Sequence, residues 1–345
     1  MLDRNLRNRY SRQTMFPGIG EEGQAKLVNS RAVVIGCGAL GGNIANLLVR
    51  AGVGRVTVVD RDFIEEHNLQ RQVLFDEEDI RNKLPKAIAA ERRLKKINSN
   101  VDVRGIVADI NASNIEGFCR DADIILDGLD NAETRYLIND VSLKLGIPWV
   151  YGGAIAANGM TMTIVPGETP CFRCISPPET ALEATETCET AGVVGTVPAI
   201  VGALQATEAI KLLVDPASIN RDLVLVDVWR NVFDRLSVAK KNDCPACHGK
   251  YEFLEKPLAE KVNSLCGQSR SVQVYDPSVP PVDLDKLAAK LDGSVADLDR
   301  TPWFLGFSSG EQEVLVFPDA RAIIKNTVDA DQARALYDRF VRKAA

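Results

Sequence analysis

The sequence predicts an α/β fold, a doubly wound domain on a mainly parallel sheet, followed by a small C-terminal α+β module. Three observations predict it. Residues 31–130 alternate apolar strand-like runs with helical segments, the rhythm of β-α-β units with helices covering a parallel sheet. Within that rhythm, Gly36-Cys37-Gly38-Ala39-Leu40-Gly41 sits at a strand-to-helix junction. Beyond residue 270 the pattern shifts to short strands between two helices.

In order, Arg31–Ile35 reads as a strand, Gly41–Ala51 as a helix and Arg55–Val59 as the second strand. Leu84–Ile97 is helical, with Pro85 tolerable in its first turn. Val101–Val107 and Ala122–Leu126 are strands, and Asp130-Asn131 is placed at the end of the latter. Ile147–Gly152 and Met160–Val165 continue the sheet, and Thr169–Glu189 reads as a loop with short turns. Val197–Leu213 is a long helix, and Leu223–Trp229 with Val232–Val238 a hairpin. The expected domain is 1–253 and the expected linker 254–270. In the module, 271–345, the strands are Ser271–Tyr275, Trp303–Phe307, Glu313–Phe317 and Arg321–Lys325. Leu284–Leu291 and an amphipathic Asp331–Lys343 are its helices. No catalytic constellation is legible there.

A formal net charge of −6 argues against a dedicated nucleic-acid binder. The polar N-terminus does not read as a signal peptide. Thr196–Val214, the most apolar stretch, carries Gln205, Glu208 and Lys211, so a buried core helix is expected rather than a membrane span. The eight cysteines are expected to be reduced, in a cytoplasmic protein. Four form two C-x-x-C pairs, Cys171/Cys174 and Cys244/Cys247. Four thiolates suit a closed, structural Zn²⁺ site, and a thioredoxin-like disulfide is the rival reading. His248 is an alternate ligand or a solvent-facing side chain. Cys37 and Cys119 are expected to be small core residues.

The glycine run is a G-x-G-x-x-G loop. Its glycines allow a tight turn and a close phosphate approach, and the helix start supplies N–H groups and a favourable dipole. Asp60 ends the next strand, where this fold reaches a ribose hydroxyl. The motif alone does not separate NAD, FAD and ATP. The polar residues C-terminal to Asp60 do: Asp62, Asn68, Arg71 and Gln72, then Lys86 and Asp130-Asn131. Cations that neutralise phosphate charge and carboxylates that hold Mg²⁺ are the parts phosphoryl chemistry needs. Arg71 or Lys86 alone would read as a solvated charge.

Here the chain resembles the MoeB/ThiF/ubiquitin-activating (E1-like) adenylyltransferases. The resemblance covers about residues 8–250. It runs from Arg9-Tyr10-Ser11-Arg12-Gln13 through the glycine loop, Asn68-Leu69-Gln70-Arg71-Gln72, Lys86 and Asp130-Asn131 to the two C-x-x-C pairs. It implies a Rossmann-like E1/ThiF fold. It further implies that Asp60 binds ribose, that Asn68, Arg71 and Lys86 contact the ATP triphosphate, and that Asp130 coordinates Mg²⁺. Arg12 would reach the partner subunit's ATP in a homodimer. Where the family often has a third glycine in the loop, this chain has Ala39, kept as a backbone contact beside Leu40. Cys188 occupies the place of a family cysteine that in some members takes a thioester or persulfide, and otherwise is a spectator thiol.

The activity implied is attack by the C-terminal Gly-Gly carboxylate of a ubiquitin-like or sulfur-carrier protein on the α-phosphorus of ATP. Its product would serve sulfur transfer (molybdopterin, thiamin or tRNA thiolation) or conjugation. A sulfur donor would be a separate protein, because no cysteine lies after residue 270. The alternatives are an NAD-dependent oxidoreductase and a non-catalytic binder of a ubiquitin-like protein.

Overall fold

The structure is a computed structural model that describes residues 3–178, 191–265 and 270–343. It comprises two compact units, Met1–Lys256 and Pro257–Ala345.

In the first unit the strands are β1 (Arg31–Ile35), β2 (Arg55–Asp60), β3 (Asp102–Val107) and β4 (Ile124–Asp127). They continue with β5 (Trp149–Ile155), β6 (Asn158–Ile164), β7 (Leu223–Asp227) and β8 (Val232–Leu236). They form one sheet in the order β3-β2-β1-β4-β5-β6-β7-β8. The first five are parallel, and β6, β7 and β8 pair antiparallel. Val33 pairs with Thr57 on one side and Ile125 on the other, so β1 and β4 meet where the strand order reverses. A crevice for ligands opens at such a switch point, beyond the C-terminal strand ends. β4 is buried at every position and β1 from Ala32 on, which explains their unbroken apolar runs: both faces are covered.

The helices that matter here are α1 (Ala39–Ala51), α2 (Lys86–Ile97), α3 (Ala132–Leu145) and α4 (Thr196–Val214). α1 and α3 stop at Gly52 and Gly146, both in left-handed conformation, the usual glycine C-terminal stop. Among the described residues α4 is the one helix long and apolar enough to cross a membrane. Its Val197, Val201, Ala206 and Ala209 are buried. Gly202 is the close-approach point, because a side chain there would meet Asn43 and the Leu40 carbonyl of α1.

The second unit is an antiparallel sheet of six strands: β9 (Lys261–Leu265), β10 (Ser271–Tyr275), β11 (Ala296–Arg300), β12 (Leu305–Ser309), β13 (Gln312–Val316) and β14 (Ala322–Lys325). Two helices, α5 (Leu284–Leu291) and α6 (Ala330–Tyr337), join it. Its core gathers Val272, Leu287, Phe307, Val314, Ile324 and Tyr337.

Several boundaries differ from the sequence reading. The stretch 254–270, expected as a linker, contains β9, which pairs along the whole of β10. The strand expected at Trp303 starts at Leu305, because the Thr301 hydroxyl accepts the Trp303 and Phe304 N–H groups and holds a turn there. The closing helix ends at Tyr337 and widens into a π turn, Asp338–Arg342. β11 has no sequence signature because Ala-Asp-Leu-Asp-Arg is a polar, mostly exposed strand with no apolar alternation. Pro85 lies just before α2, not within it.

Candidate active site

The glycine loop follows β1 directly. Gly36 has φ +89°, a region closed to most side chains, and its N–H bonds the Val59 carbonyl at 2.8 Å. A Cβ on Gly41 would strike the Gly36 carbonyl oxygen, and one on Gly128, just after β4, would strike the same atom. Three backbones therefore touch at the switch point. Gly38 is the N-cap of α1 and contributes no side-chain cap, so the first-turn N–H groups, those of Ala39 and Leu40 among them, are left for a ligand. Gln72 lies beside Gly38, and its Oε1 is buried without a hydrogen-bond partner. Gly128→Ala is expected to cost about 1–3 kcal/mol through overpacking and to weaken nucleotide binding more than ten-fold, about the cost of displacing backbone donors by a fraction of an ångström. Thermal melting and calorimetric ATP titration check the two parts.

Asp60, the last residue of β2, is buried. Its carboxylate accepts Cys37 N–H at 2.6 Å and Asp62 N–H at 2.7 Å, tying the end of β2 to the loop after β1. Asp62 in turn accepts Lys86 N–H on its backbone oxygen at 2.9 Å, and its side chain meets the Lys86 ammonium at 3.4 Å. The Lys86 side chain is only 10% exposed. Burial by itself would depress its pKa, but Asp62, Asp60 and Asp130 outweigh that and raise it, so the ammonium stays charged. Burial raises the Asp60 carboxyl, Asp62 adds to this, and Lys86 draws it back. Three carboxylates thus surround one lysine beside the glycine loop.

β4 ends at Asp127, so Asp130 lies beyond the strand rather than at its end, exposed in the turn before α3. Asn131 caps α3, its Oδ1 accepting Thr134 N–H at 3.0 Å. The Asn68 oxygen is likewise used locally, accepting Glu65 N–H at 3.1 Å in a reciprocal cap, and leaves its amide nitrogen as the donor it can offer. Arg71 donates to the His67 carbonyl at 2.9 Å and packs near Gly195, the residue preceding α4.

Arg12 is elsewhere. It lies in the short helix Ser11–Thr14, whose Gln13 bonds the Ala51 carbonyl at 2.9 Å. Tyr10 beside it is buried against Gly52. This anchors the segment to the C-terminal end of α1, while the glycine loop lies at the N-terminal end, about 18 Å away at 1.5 Å per residue. Arg12 is exposed, followed closely by two exposed apolar residues, Met15 at 70% and Phe16 at 62%, and makes no ion pair among the described residues. Cys188 lies outside the described residues. Cys37 and Cys119 are fully buried; burial pushes the Cys119 thiol up to about 12 and raises Cys37 as well, so both remain inert thiols.

The four remaining cysteines converge. Sulfur–sulfur distances are 3.5 Å for Cys171–Cys244, 3.7 Å for Cys174–Cys247 and 3.8 Å for Cys171–Cys174, and all four atoms lie within 4.8 Å of one another. A tetrahedral ion with 2.3 Å metal–sulfur bonds separates its ligands by about 3.8 Å. None of the four forms a disulfide, and the contacts run across the pairs as well as within one, which is a metal's arrangement and not a redox pair's. Asn139 of α3 accepts Phe172 N–H at 2.8 Å and fixes the first knuckle. His248 bonds the Asn242 carbonyl at 2.7 Å and stays exposed, apart from the cluster.

The ThiF family pattern matches residues 10–246. The chain belongs to the ThiF family. It is similar, at 41% identity over 97% of this chain and all of the relative, to the sulfur carrier protein ThiS adenylyltransferase of Bacillus subtilis. It is 38% identical to the SAMP-activating enzyme E1 of Haloferax volcanii over 71% of this chain and 90% of that one. A solved structure of Escherichia coli MccB with ATP aligns with a TM-score of 0.60 at 26% identity, covering 70% of this chain and 74% of that chain.

Sequence reasoning missed two residues of this ThiF-family site. Asp127 is fully buried and pairs with Arg135 at 2.9 Å, directly beneath the turn that carries Asp130. The one local hint was weak: an arginine in the first turn of a helix is disfavoured by the helix dipole and so draws notice.

Proposed function

We propose that this chain uses ATP to adenylate the C-terminal Gly-Gly carboxylate of a ubiquitin-like or sulfur-carrier protein, releasing pyrophosphate. The observation that carries the reading is Lys86 held among Asp60, Asp62 and Asp130 beside an uncapped glycine loop. The names of the Bacillus and Haloferax relatives support the choice of a carrier-protein substrate, and MccB with ATP supports the nucleotide.

The attacking carboxylate is already ionised near neutrality, so no general base is required. The chain's work is positioning and charge neutralisation. The amides of Gly38 to Gly41 and the ammonium of Lys86 hold the phosphates, with Arg71 and Asn68 as further donors. Asp60 keeps lone pairs for the ribose hydroxyls beyond the two backbone bonds it accepts. An excess of carboxylates over cations suits a divalent ion, and Asp130 with Asp62 would hold Mg²⁺, which offsets polyphosphate charge when bound. The sulfur cluster would hold Zn²⁺ as a structural ion. A nucleophile of a separate sulfur-donor or acceptor protein then bonds to the activated carbonyl carbon and AMP leaves, in the cytoplasm. Exchange of labelled pyrophosphate into ATP, present only with a Gly-Gly-ended carrier, tests this; nicotinamide binding without exchange would sink it.

Arg12 is proposed to complete the site of a second copy. Its segment is anchored at the far end of α1 from the glycine loop, and exposed Met15 and Phe16 close by suit an interface. Such a residue stabilises charge only once the site is assembled. Arg12→Ala and Lys86→Ala proteins are each expected to be inactive, whereas their equimolar mixture regains about a quarter of the parent activity, since half the dimers are mixed and each has one intact site. No recovery after subunit exchange would place Arg12 outside the chemistry.

A further inference from the structure

We propose that Arg135 is a positioning residue for adenylation, one that sets the place of Asp130 by clamping the turn before it; this rests on the adenylation reading above. The Arg135 side chain is 12% exposed and Asp127 is fully buried. Arg135 Nε bonds Asp127 at 2.9 Å, while Nη2 donates to the carbonyls of Leu129 at 2.6 Å and Gly152 at 2.8 Å. Asp127 in turn accepts Leu129 N–H at 2.9 Å and Gly152 N–H at 3.3 Å. Both backbone groups of Leu129 are thus held by one ion pair, and Asp130 is the next residue. Gln205 of α4 closes the arrangement from below, donating to the carbonyls of Asp127 at 2.8 Å and Val150 at 3.1 Å.

The clamp forms one wall of the crevice, on the β4–β5 side. Gly128, inside the clamped turn, packs on Gly36 and Gly41 of the phosphate loop, while Gly152 belongs to β5. The guanidinium therefore holds the turn whose Gly128 packs on the phosphate loop and whose next residue but one is Asp130. Its hydrogen bonds go to this turn, to the middle of β5 beside it and to Asp127, and its ring contact is with Tyr151 of β5. That is the pattern of a geometry-setting group rather than a core filler. Catalytic groups displaced by about an ångström lose on the order of 100-fold in rate.

Arg135→Lys keeps the charge opposite Asp127 but loses the fork that reaches both carbonyls. It is expected to lower the kcat of carrier-dependent pyrophosphate exchange by about 10- to 100-fold, with the carrier KM unchanged within about two-fold. Mn²⁺ binding, followed by electron paramagnetic resonance with a methylene ATP analogue, is expected to weaken about ten-fold in parallel. In an Asp130→Asn background the same substitution is expected to add less than about a two-fold loss, the non-additivity of groups that act as a unit. A loss equally large in that background, an unchanged Mn²⁺ affinity, or a carrier KM that moves with kcat would overturn the proposal. Should Arg135→Lys fail to fold, the neutral pair Asp127→Asn with Arg135→Gln leaves no unpaired buried charge and faces the same criteria. The Mn²⁺ measurement needs no carrier, so failure of the carrier reading remains distinguishable from failure of the clamp.

Discussion

Replacing Lys86 with alanine is expected to lower carrier-dependent pyrophosphate exchange by about 10²–10³-fold, the usual consequence of deleting one preorganised charge-stabilising group. The ammonium is nearly buried and is a cation that acts on all three of Asp60, Asp62 and Asp130, with Arg61 also beside Asp62. Stability falls as well, because Asp60 is left with its two N–H donors and without that cation. Its carboxyl is already raised by burial and by Asp62, and losing Lys86 raises it further. A carboxyl raised in the folded state favours folding while protonated and opposes it once ionised. The variant is therefore expected to melt nearest the parent at acid pH and to fall further behind as pH rises through the Asp60 pKa. Adding Asp62→Asn should recover part of the melting temperature and none of the exchange. Melting curves across pH, alongside exchange rates, separate the two effects, and exchange near the parent rate would place the phosphates elsewhere.

Stripping the metal from the four-cysteine cluster is expected to lower the melting temperature by more than about 10 °C, since structural zinc contributes on the order of 10 kcal/mol to small domains that depend on it. Cys171 and Cys244 are buried together at 3.5 Å, and no disulfide joins these two stretches of chain. Without an ion, the cluster is four thiols that no longer hold the knuckle at Phe172 against the turn at Ala246. Cys244→Ser should do the same irreversibly, whereas re-addition of Zn²⁺ rescues the chelated protein only. Metal analysis is expected to find one ion per chain. A melt indifferent to chelation, with no metal found, would leave the cluster as packing.

The parts of this molecule legible in the sequence are those with short-range physical signatures. Gly36, Gly38 and Gly41 announce a backbone conformation and a close approach, and the C-x-x-C pairs announce their geometry by spacing. Apolar runs such as Ala32–Ile35 announce a buried parallel strand. What was not legible depends on distant residues. Gly128 matters because it touches Gly36, which is remote in sequence, and nothing local marks it. Asp127 and Arg135 become a pair only once β4 and α3 are folded together with β5. Asn68 and Asn131 each spend the oxygen on a local cap, which only the folded turns reveal and which leaves the amide nitrogens as the groups to offer a ligand. In the second unit β9 and β11 were missed because edge strands carry little apolar alternation to read.

The chain leaves the sulfur cluster at Cys174 and returns to it at Cys244, so an ion bound there would place α4 and the β7–β8 hairpin on a ring closed by metal–sulfur bonds. A ring survives one cut. Cleavage after Arg230, whose side chain is 81% exposed at the hairpin tip, would turn it into two arms joined by the β7–β8 pairing and by the ion. The nicked molecule would migrate as two pieces in denaturant and as one without it, and chelation would be the step that weakens the join.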